Sequence, residues 1–166
     1  SQDRTAELLA EATHAYQQFK VIHFSRNFGH QAALLAGYEF AKGDVIVSLD
    51  ADLQDPPELI ITMLEKLKEG FDIIYAARKS RGIDSRFKRM TAELFYWLMK
   101  KLGVSIIPHH ADFRMITRRV LNAFLKFNEN NLFIRATFPM VGFPSCVVYY
   151  DRPERKAGKT KYSFRM

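Results

Sequence analysis

Apolar residues recur at three- and four-residue steps through Leu8, Leu9, Ala12, Tyr16 and Phe19, the spacing of one helix face. Ser1 or Asp3 stands where the cap of that helix belongs. The run Val21-Ile22-His23-Phe24 reads as a short strand. After the loop Ser25-Arg26-Asn27-Phe28-Gly29 comes an Ala-rich helix, from about Gln31 to Ala41, ended by Gly43. Val45-Ile46-Val47-Ser48-Leu49 has the length and composition of a buried strand, bounded by Gly43-Asp44 and by Asp50-Ala51-Asp52. Asp55-Pro56-Pro57-Glu58 predicts a helix start, with Asp at the cap, Pro in the first turn and Glu three residues on. That helix is expected to stop at Gly70, and Phe71-Asp72-Ile73-Ile74-Tyr75-Ala76 to form the next strand.

Helix and strand thus alternate through the first half with short connections, which predicts an α/β fold of parallel strands joined by right-handed helical crossovers. Ligands in such sheets bind beyond the carboxyl ends of the strands. The loops after Phe24, Leu49 and Ala76 are therefore expected on one rim. The second half is less regular. A basic loop, Lys79-Ser80-Arg81-Gly82, leads to a helix over about 85–102. A break at Pro108-His109-His110 precedes a strand around Phe113-Arg114-Met115-Ile116. Helices near 119–127 and 132–140, a strand over 146–150 and a basic tail over 152–165 complete the reading. Neither a repeat nor a linker is visible, so residues 1–166 are expected to form a single domain.

Composition narrows the class. The 166 residues are 48% hydrophobic and 13% aromatic, enough for a real core and far from a disordered composition. Apolar runs stay well below the ~20 residues of a membrane helix. Lys and Arg number 25 against 18 Asp and Glu, a net charge of +7, which favours phosphates, polyanions or acidic membrane faces as partners. One cysteine, Cys146, excludes an intramolecular disulfide and a multi-cysteine metal site, and makes a reducing compartment the default.

The most informative chemistry lies at Asp50-Ala51-Asp52-Leu53-Gln54. Residues i and i+2 of an extended chain project to the same side, so the two carboxylates can converge. Such a pair repels itself unless a cation or a proton lies between. Mg²⁺ or Mn²⁺ suits this site, because hard ions take oxygen ligands and often bridge carboxylates to substrate phosphates. Gln54 can add a carbonyl oxygen. The plainer reading, in which the acids solvate a strand end and cap a helix, is served by Asp55 alone.

The stretch from Ser25-Arg26-Asn27-Phe28-Gly29-His30-Gln31 to Gly37, then Gly43-Asp44, then Asp50 to Glu58, resembles family-2 glycosyltransferases. It resembles specifically the polyprenyl-phosphate type, which includes bactoprenol glucosyltransferases and dolichol-phosphate mannose synthases. Ala111-Asp112-Phe113-Arg114-Met115, Asn131-Leu132-Phe133-Ile134-Arg135 and the closing Arg155-x-x-Gly158-x-Thr160-Lys161-Tyr162 match in the family's order. The resemblance implies a Rossmann-like nucleotide-sugar fold of the GT-A type, with a largely parallel sheet flanked by helices and lacking the first strands. In the family, a Pro-x-Tyr-Asn-Glu-type motif and an Asp-Asp-Gly-Ser strand end come first. Ser1-x-Asp3-x-Thr5 is similar to the tail of the latter, so a βαβ unit of roughly 30–40 residues and the C-terminal membrane segments of many relatives are expected to lie outside this stretch. Base recognition would then lie outside it too, and the stretch alone need not be active.

The activity the resemblance implies is metal-dependent, inverting transfer of a sugar from a UDP- or GDP-sugar to a polyprenyl phosphate. It would take place at the cytoplasmic face of a membrane, in cell-wall or lipopolysaccharide synthesis, and a homo-oligomer is compatible with it. Asp50, Asp52 and Gln54 would hold Mg²⁺ or Mn²⁺. Arg78 and Arg89 would bind the acceptor phosphate, and Arg155 and Lys161 the donor diphosphate or the acceptor, with Arg135 a further phosphate-binding candidate. Asp112 is the residue the analogy offers as catalytic base. A phosphomonoester has a second pKa of ~6, however, and is mostly dianionic at pH 7. With such an acceptor Asp112 is expected to orient the substrate or its basic clamp instead.

Other signals keep two readings. In helix 85–102, Phe87, Met90, Leu94 and Leu98 form a stripe flanked by Arg86, Lys88, Arg89, Lys100 and Lys101, which suits either an anionic membrane surface or a core helix. His109-His110 is adjacent in sequence and therefore poorly placed for one metal. An Asp-x-Asp after a buried strand also occurs in haloacid-dehalogenase-type phosphatases, although these expect Thr or Val where Gln54 stands. A non-enzymatic basic nucleic-acid module is the remaining alternative, but no helix-turn-helix or aromatic sheet motif supports it and nucleic acid is not an expected partner.

Overall fold

The computed structural model describes residues 4–52, 54–79, 110–127 and 133–151. These divide between two compact units, Ser1–Ala41 and Lys42–Met166. The first holds helices α1 (Thr5–Ala15) and α2 (His30–Phe40). Helix α1 buries none of its side chains, and Leu8, Tyr16 and Phe19 of its expected stripe are exposed. Gly29 precedes α2 with a φ of +87°, a conformation open to glycine at little cost, and its N–H donates to Asn27 Oδ1 at 2.8 Å. The expected strand at 21–24 does not form. A short apolar run becomes a strand only where a neighbour takes up its ladder hydrogen bonds, and no described strand pairs with it.

The second unit is built on a four-stranded sheet with β1 (Val45–Ser48), β2 (Ile73–Arg78), β3 (His110–Thr117) and β4 (Ser145–Tyr150), in the order β1-β3-β2-β4. Three strands run the same way: β2 and β4 are parallel, and β1 and β2 are each antiparallel to β3. The strands joined by helix α3 (Leu59–Lys68) are therefore co-directional, as the alternating pattern predicts, but they are not neighbours. Strand β3 lies between them and runs against both. Helices α4 (Arg118–Phe124) and α5 (Ile134–Met140) follow β3.

Strand β2 is buried along Ile73–Ala77, each residue at most 1% exposed, as a central strand covered on both faces requires. On one face Met63 of α3 packs with Ile74, Ala76, Phe113, Met115 and Tyr150, and Leu59, Ile60 and Leu67 extend the contact. These α3 positions follow the three- and four-residue steps of one helix face. Alternation sends Ile73, Tyr75, Arg114 and Ile116 to the other face. There the rings of Phe124 and Phe138 stack at 4.3 Å and join α4 to α5, and the Arg114 guanidinium lies 4.8 Å from the centre of the Phe138 ring. At the far end of the sheet, Arg119 and Thr117 donate to the Asp72 carboxylate.

Candidate functional site

The strand directions place the ends of β1, β2 and β4 on one rim with the beginning of β3. Register makes this concrete, since Ser48 stands opposite Arg114 and Arg78 opposite Tyr150. Of the three loops expected on one rim, the chain leaving β1 at Leu49 and the end of β2 share it, while the run before the third, 21–24, forms no strand. Two groups of charged side chains occupy the rim, one on each sheet face.

On the α5 face, Asp112 and Arg114 are two residues apart on β3 and so point the same way. Asp112 is 2% exposed and Arg114 fully buried. Arg114 Nη2 donates to Asp112 Oδ1 at 2.8 Å. Arg135, in the first turn of α5, adds a two-pronged grip, Nε to Oδ1 at 3.1 Å and Nη2 to Oδ2 at 2.9 Å. The Ser48 hydroxyl donates to the Asp112 carbonyl and ties β1 to the same point. Arg135 is 43% exposed, so its buried edge meets Asp112 while the rest reaches solvent. The bonds to Asp112 hold its guanidinium above the ordinary pKa against the opposing effect of burial; Asp50 adds to the rise and Arg78 works against it. Asp112, Asp50 and Arg78 thus all lie within electrostatic reach of Arg135.

On the α3 face, Arg78 ends β2, Tyr150 ends β4, and Asp55 lies in the turn before α3. Arg78 Nε donates to the Tyr150 hydroxyl at 3.2 Å and Nη2 to Asp55 Oδ1 at 3.3 Å. The Tyr150 hydroxyl donates to the same Asp55 oxygen. Burial first, and then the bond to Asp55, push the Tyr150 pKa up to about 12. Asp55 is 1% exposed and does not act as the expected cap. Helix α3 begins at Leu59 with no side-chain cap bond, because the Asp55 carboxylate is turned inward to Tyr150 and Arg78.

At the tip of β1, Asp50 and Asp52 are half-buried and Gln54 is 7% exposed. Asp52 Oδ1 accepts the Gln54 backbone N–H at 3.1 Å, which folds the loop back on itself. All donors here are hard oxygens, which fit Mg²⁺ or Mn²⁺ better than thiophilic ions. Among the described residues no group of three or more His, Cys, Asp or Glu side chains could hold a metal. Two carboxylates and an amide oxygen would leave such an ion to complete its shell with phosphate and water oxygens, as Mg²⁺ ordinarily does.

Arg89, Arg155, Lys161, helix 85–102 and His109 fall outside the described residues. Of the remaining site residues read from the sequence, the rim gathers Arg78, Arg135 and Asp112 with the Asp50–Gln54 loop. Arg114, Asp55 and Tyr150 were missed as site residues. A buried Asp-x-Arg on one face of an otherwise apolar strand was a usable signal for Arg114. Asp55 and Tyr150 stand 95 positions apart and offered none. Among the described residues no helix is long and apolar enough to cross a membrane.

Comparison with known proteins gives one family. Residues 1–127 match the model of "Glycosyl transferase family 2". The chain is 45% identical to "Uncharacterized glycosyltransferase YkcC" of Bacillus subtilis over 166 residues, covering 99% of this chain and 51% of that protein. It is 41% identical to the "Bactoprenol glucosyl transferase" of Shigella phage SfV over 143 residues, 86% of this chain and 47% of that protein. A "Prophage bactoprenol glucosyl transferase homolog" of Escherichia coli is 42% identical over a similar span, 86% of this chain and 47% of that protein. The chain spans about half the length of these relatives.

Proposed function

The chain belongs to glycosyl transferase family 2, and from that premise we propose that it carries the phosphate-handling rim of an enzyme that moves a sugar from a nucleotide-sugar to a polyprenyl phosphate. Family membership decides against the phosphatase and nucleic-acid readings. The acceptor class is inferred from relatives whose names specify bactoprenol.

The observation that carries the reading is a pair of held arginines at the strand ends: Arg135, gripped by Asp112 and within electrostatic reach of Asp50, and Arg78, held by Asp55 and Tyr150 on the other sheet face. Arginine forks match phosphate oxygens and remain charged at any working pH. In the proposed reaction an acceptor phosphate oxygen attacks the anomeric carbon, and the carbon–oxygen bond to the donor diphosphate breaks on the opposite face. The nucleoside diphosphate leaves with the electron pair and the sugar configuration inverts. Arg78 and Arg135 bind and orient the phosphates. A divalent ion held by Asp50 and Asp52, with Gln54 beside them, would neutralise the leaving diphosphate when bound.

Asp112 is assigned as the residue that fixes Arg135 rather than as a base. Both its oxygens already accept hydrogen bonds from guanidinium groups, and a dianionic phosphate has no proton that must be removed before attack. We propose the cytoplasmic membrane face as the location of the reaction, where a lipid-linked acceptor would present its phosphate.

The test is transfer by the full-length protein from a panel of radiolabelled UDP- and GDP-sugars to undecaprenyl phosphate in mixed micelles. A labelled, mild-acid-labile lipid and an inverted anomeric centre by NMR are expected. Transfer to water or protein alone, or no transfer from any donor, overturns the proposal.

A further inference from the structure

Asp55 is an unusual residue for a rim, because it buries a carboxylate and leaves it poorly satisfied. Its Oδ1 takes the Tyr150 hydroxyl and an Arg78 N–H at 3.3 Å, while the buried Oδ2 has no hydrogen-bond partner among the described residues. A half-satisfied buried network is a poor way to stabilise a fold. It does fix the polarity of a chain of bonds, from Arg78 Nε–H to the Tyr150 oxygen and from the Tyr150 O–H to Asp55.

Together these contacts consume the Nε/Nη2 edge of the Arg78 fork. Among the described residues, the Nη1/Nη2 end of a guanidinium so held is left for a second, bidentate partner. Arg78 is 30% exposed, whereas Asp55 and Tyr150 are sealed beneath it. Arginine otherwise has a large rotamer entropy to lose on binding an anion, and fixing it in advance lowers that cost.

We propose that Asp55 and Tyr150 are positioning residues that hold Arg78 with its free edge set to receive a phosphate group of the substrates. The inference rests on the reading of the rim as a phosphate site and assigns the two side chains that arrange it. The anion could be the donor's diphosphate or the acceptor's monophosphate, so the test has two arms. The full-length protein is titrated calorimetrically with inorganic pyrophosphate plus Mg²⁺, and separately with a short-chain prenyl monophosphate in micelles.

Arg78→Ala is expected to weaken one arm by about tenfold or more, the loss of a hydrogen bond to a charged group, and that arm identifies the ligand. Tyr150→Phe, which keeps the ring on Phe113, should weaken the same arm several-fold, leave the other unchanged, and add nothing in an Arg78→Ala background. In ¹⁵N spectra the Arg78 Nε–H, slow to exchange in the parent, should become fast. Asp55→Asn should behave like Tyr150→Phe; if it does not fold, Tyr150→Phe alone decides. If Arg78→Ala alters neither arm, the phosphate reading of Arg78 fails. If Arg78→Ala weakens an arm while a folded Tyr150→Phe binds normally, the positioning role is overturned and the phosphate reading stands.

Discussion

Arg135 closes its fork on both oxygens of Asp112, at 3.1 and 2.9 Å, although the two residues lie on different elements 23 positions apart. Arg114 presses on the same carboxylate from beneath, fully buried. The carboxylate thus sits between two cations, and its neutralisation leaves Arg114 buried beside an uncharged group. Asp112→Asn should therefore destabilise the fold by about 3 kcal/mol, the cost of breaking a buried pair from one side, read as a lower urea midpoint. In the full-length enzyme at a temperature where the variant is folded, its KM for the acceptor should rise, and the pH–rate profile from 6 to 8 should keep its shape. A lost basic limb would make Asp112 a base instead.

Arg135 itself should tolerate lysine poorly. A single ammonium cannot span both carboxylate oxygens as the guanidinium does. Arg135→Lys is expected to lose most of the activity while shifting the melting temperature by only a few degrees, because the side chain is half exposed and such pairs contribute little to stability. Steady-state kinetics beside a thermal melt checks the split.

The far end of the sheet provides a pH test independent of the site. Hydrogen bonds from Arg119, and then from Thr117, hold the Asp72 carboxyl below its usual range despite the opposing effect of burial. A carboxyl with a lowered folded pKa stabilises fully above its unfolded value of about 3.9, and the contribution is lost as pH falls through the folded value. Asp72→Asn should accordingly cost about 2 kcal/mol at neutral pH. The gap between parent and variant in urea unfolding should shrink below about pH 4. A gap that stays constant to pH 3 would remove this account.

Some of this was legible beforehand because it is local. The apolar run of β2, the three- and four-residue steps of α3 and the stop at Gly70, whose φ is +99°, follow from neighbouring residues. The insertion of β3 between β1 and β2 does not. It is set by pairing between strands far apart in the sequence, and the alternating pattern shows only strand direction. Asp55 illustrates the same limit. Its local context, Asp-Pro-Pro-Glu, is that of a cap, but a tyrosine from the last strand and an arginine from β2 outbid the helix for its carboxylate. The 21–24 run has no partner strand among the described residues, and such a partner is a condition no short window contains.

Cys146 lies half-buried on β4 against the core of the α3 face. Burial pushes its thiol pKa up, only partly offset by Lys66, so little thiolate is present at neutral pH. Its reaction with a disulfide reagent at pH 8 should be several-fold slower than that of glutathione, rising to the small-thiol rate in denaturant. Cys146→Val, of similar volume, should leave activity within about twofold and stability within about 1.5 kcal/mol.

The strand tip makes the sharpest demand on a cation. Asp50 and Asp52 supply two carboxylates, and no third acidic or imidazole group joins them among the described residues. Two carboxylates bind Mg²⁺ weakly on their own, because the ion gives up water reluctantly, but well when a diphosphate supplies further oxygens. Mn²⁺ or a nucleoside diphosphate alone should therefore raise the melting temperature of the full-length protein little, and the two together by more than the sum. Linkage sets the scale, about 2.7 kcal/mol at a hundredfold excess over the dissociation constant. Asp50→Asn and Asp52→Asn should each abolish the synergy, and EDTA should abolish transfer until Mg²⁺ or Mn²⁺ is restored. A full shift with nucleotide in the presence of EDTA would show that the arginines alone hold the diphosphate, and the carboxylate pair would then have to be read as part of a solvent-facing turn, with Asp52 accepting the Gln54 N–H.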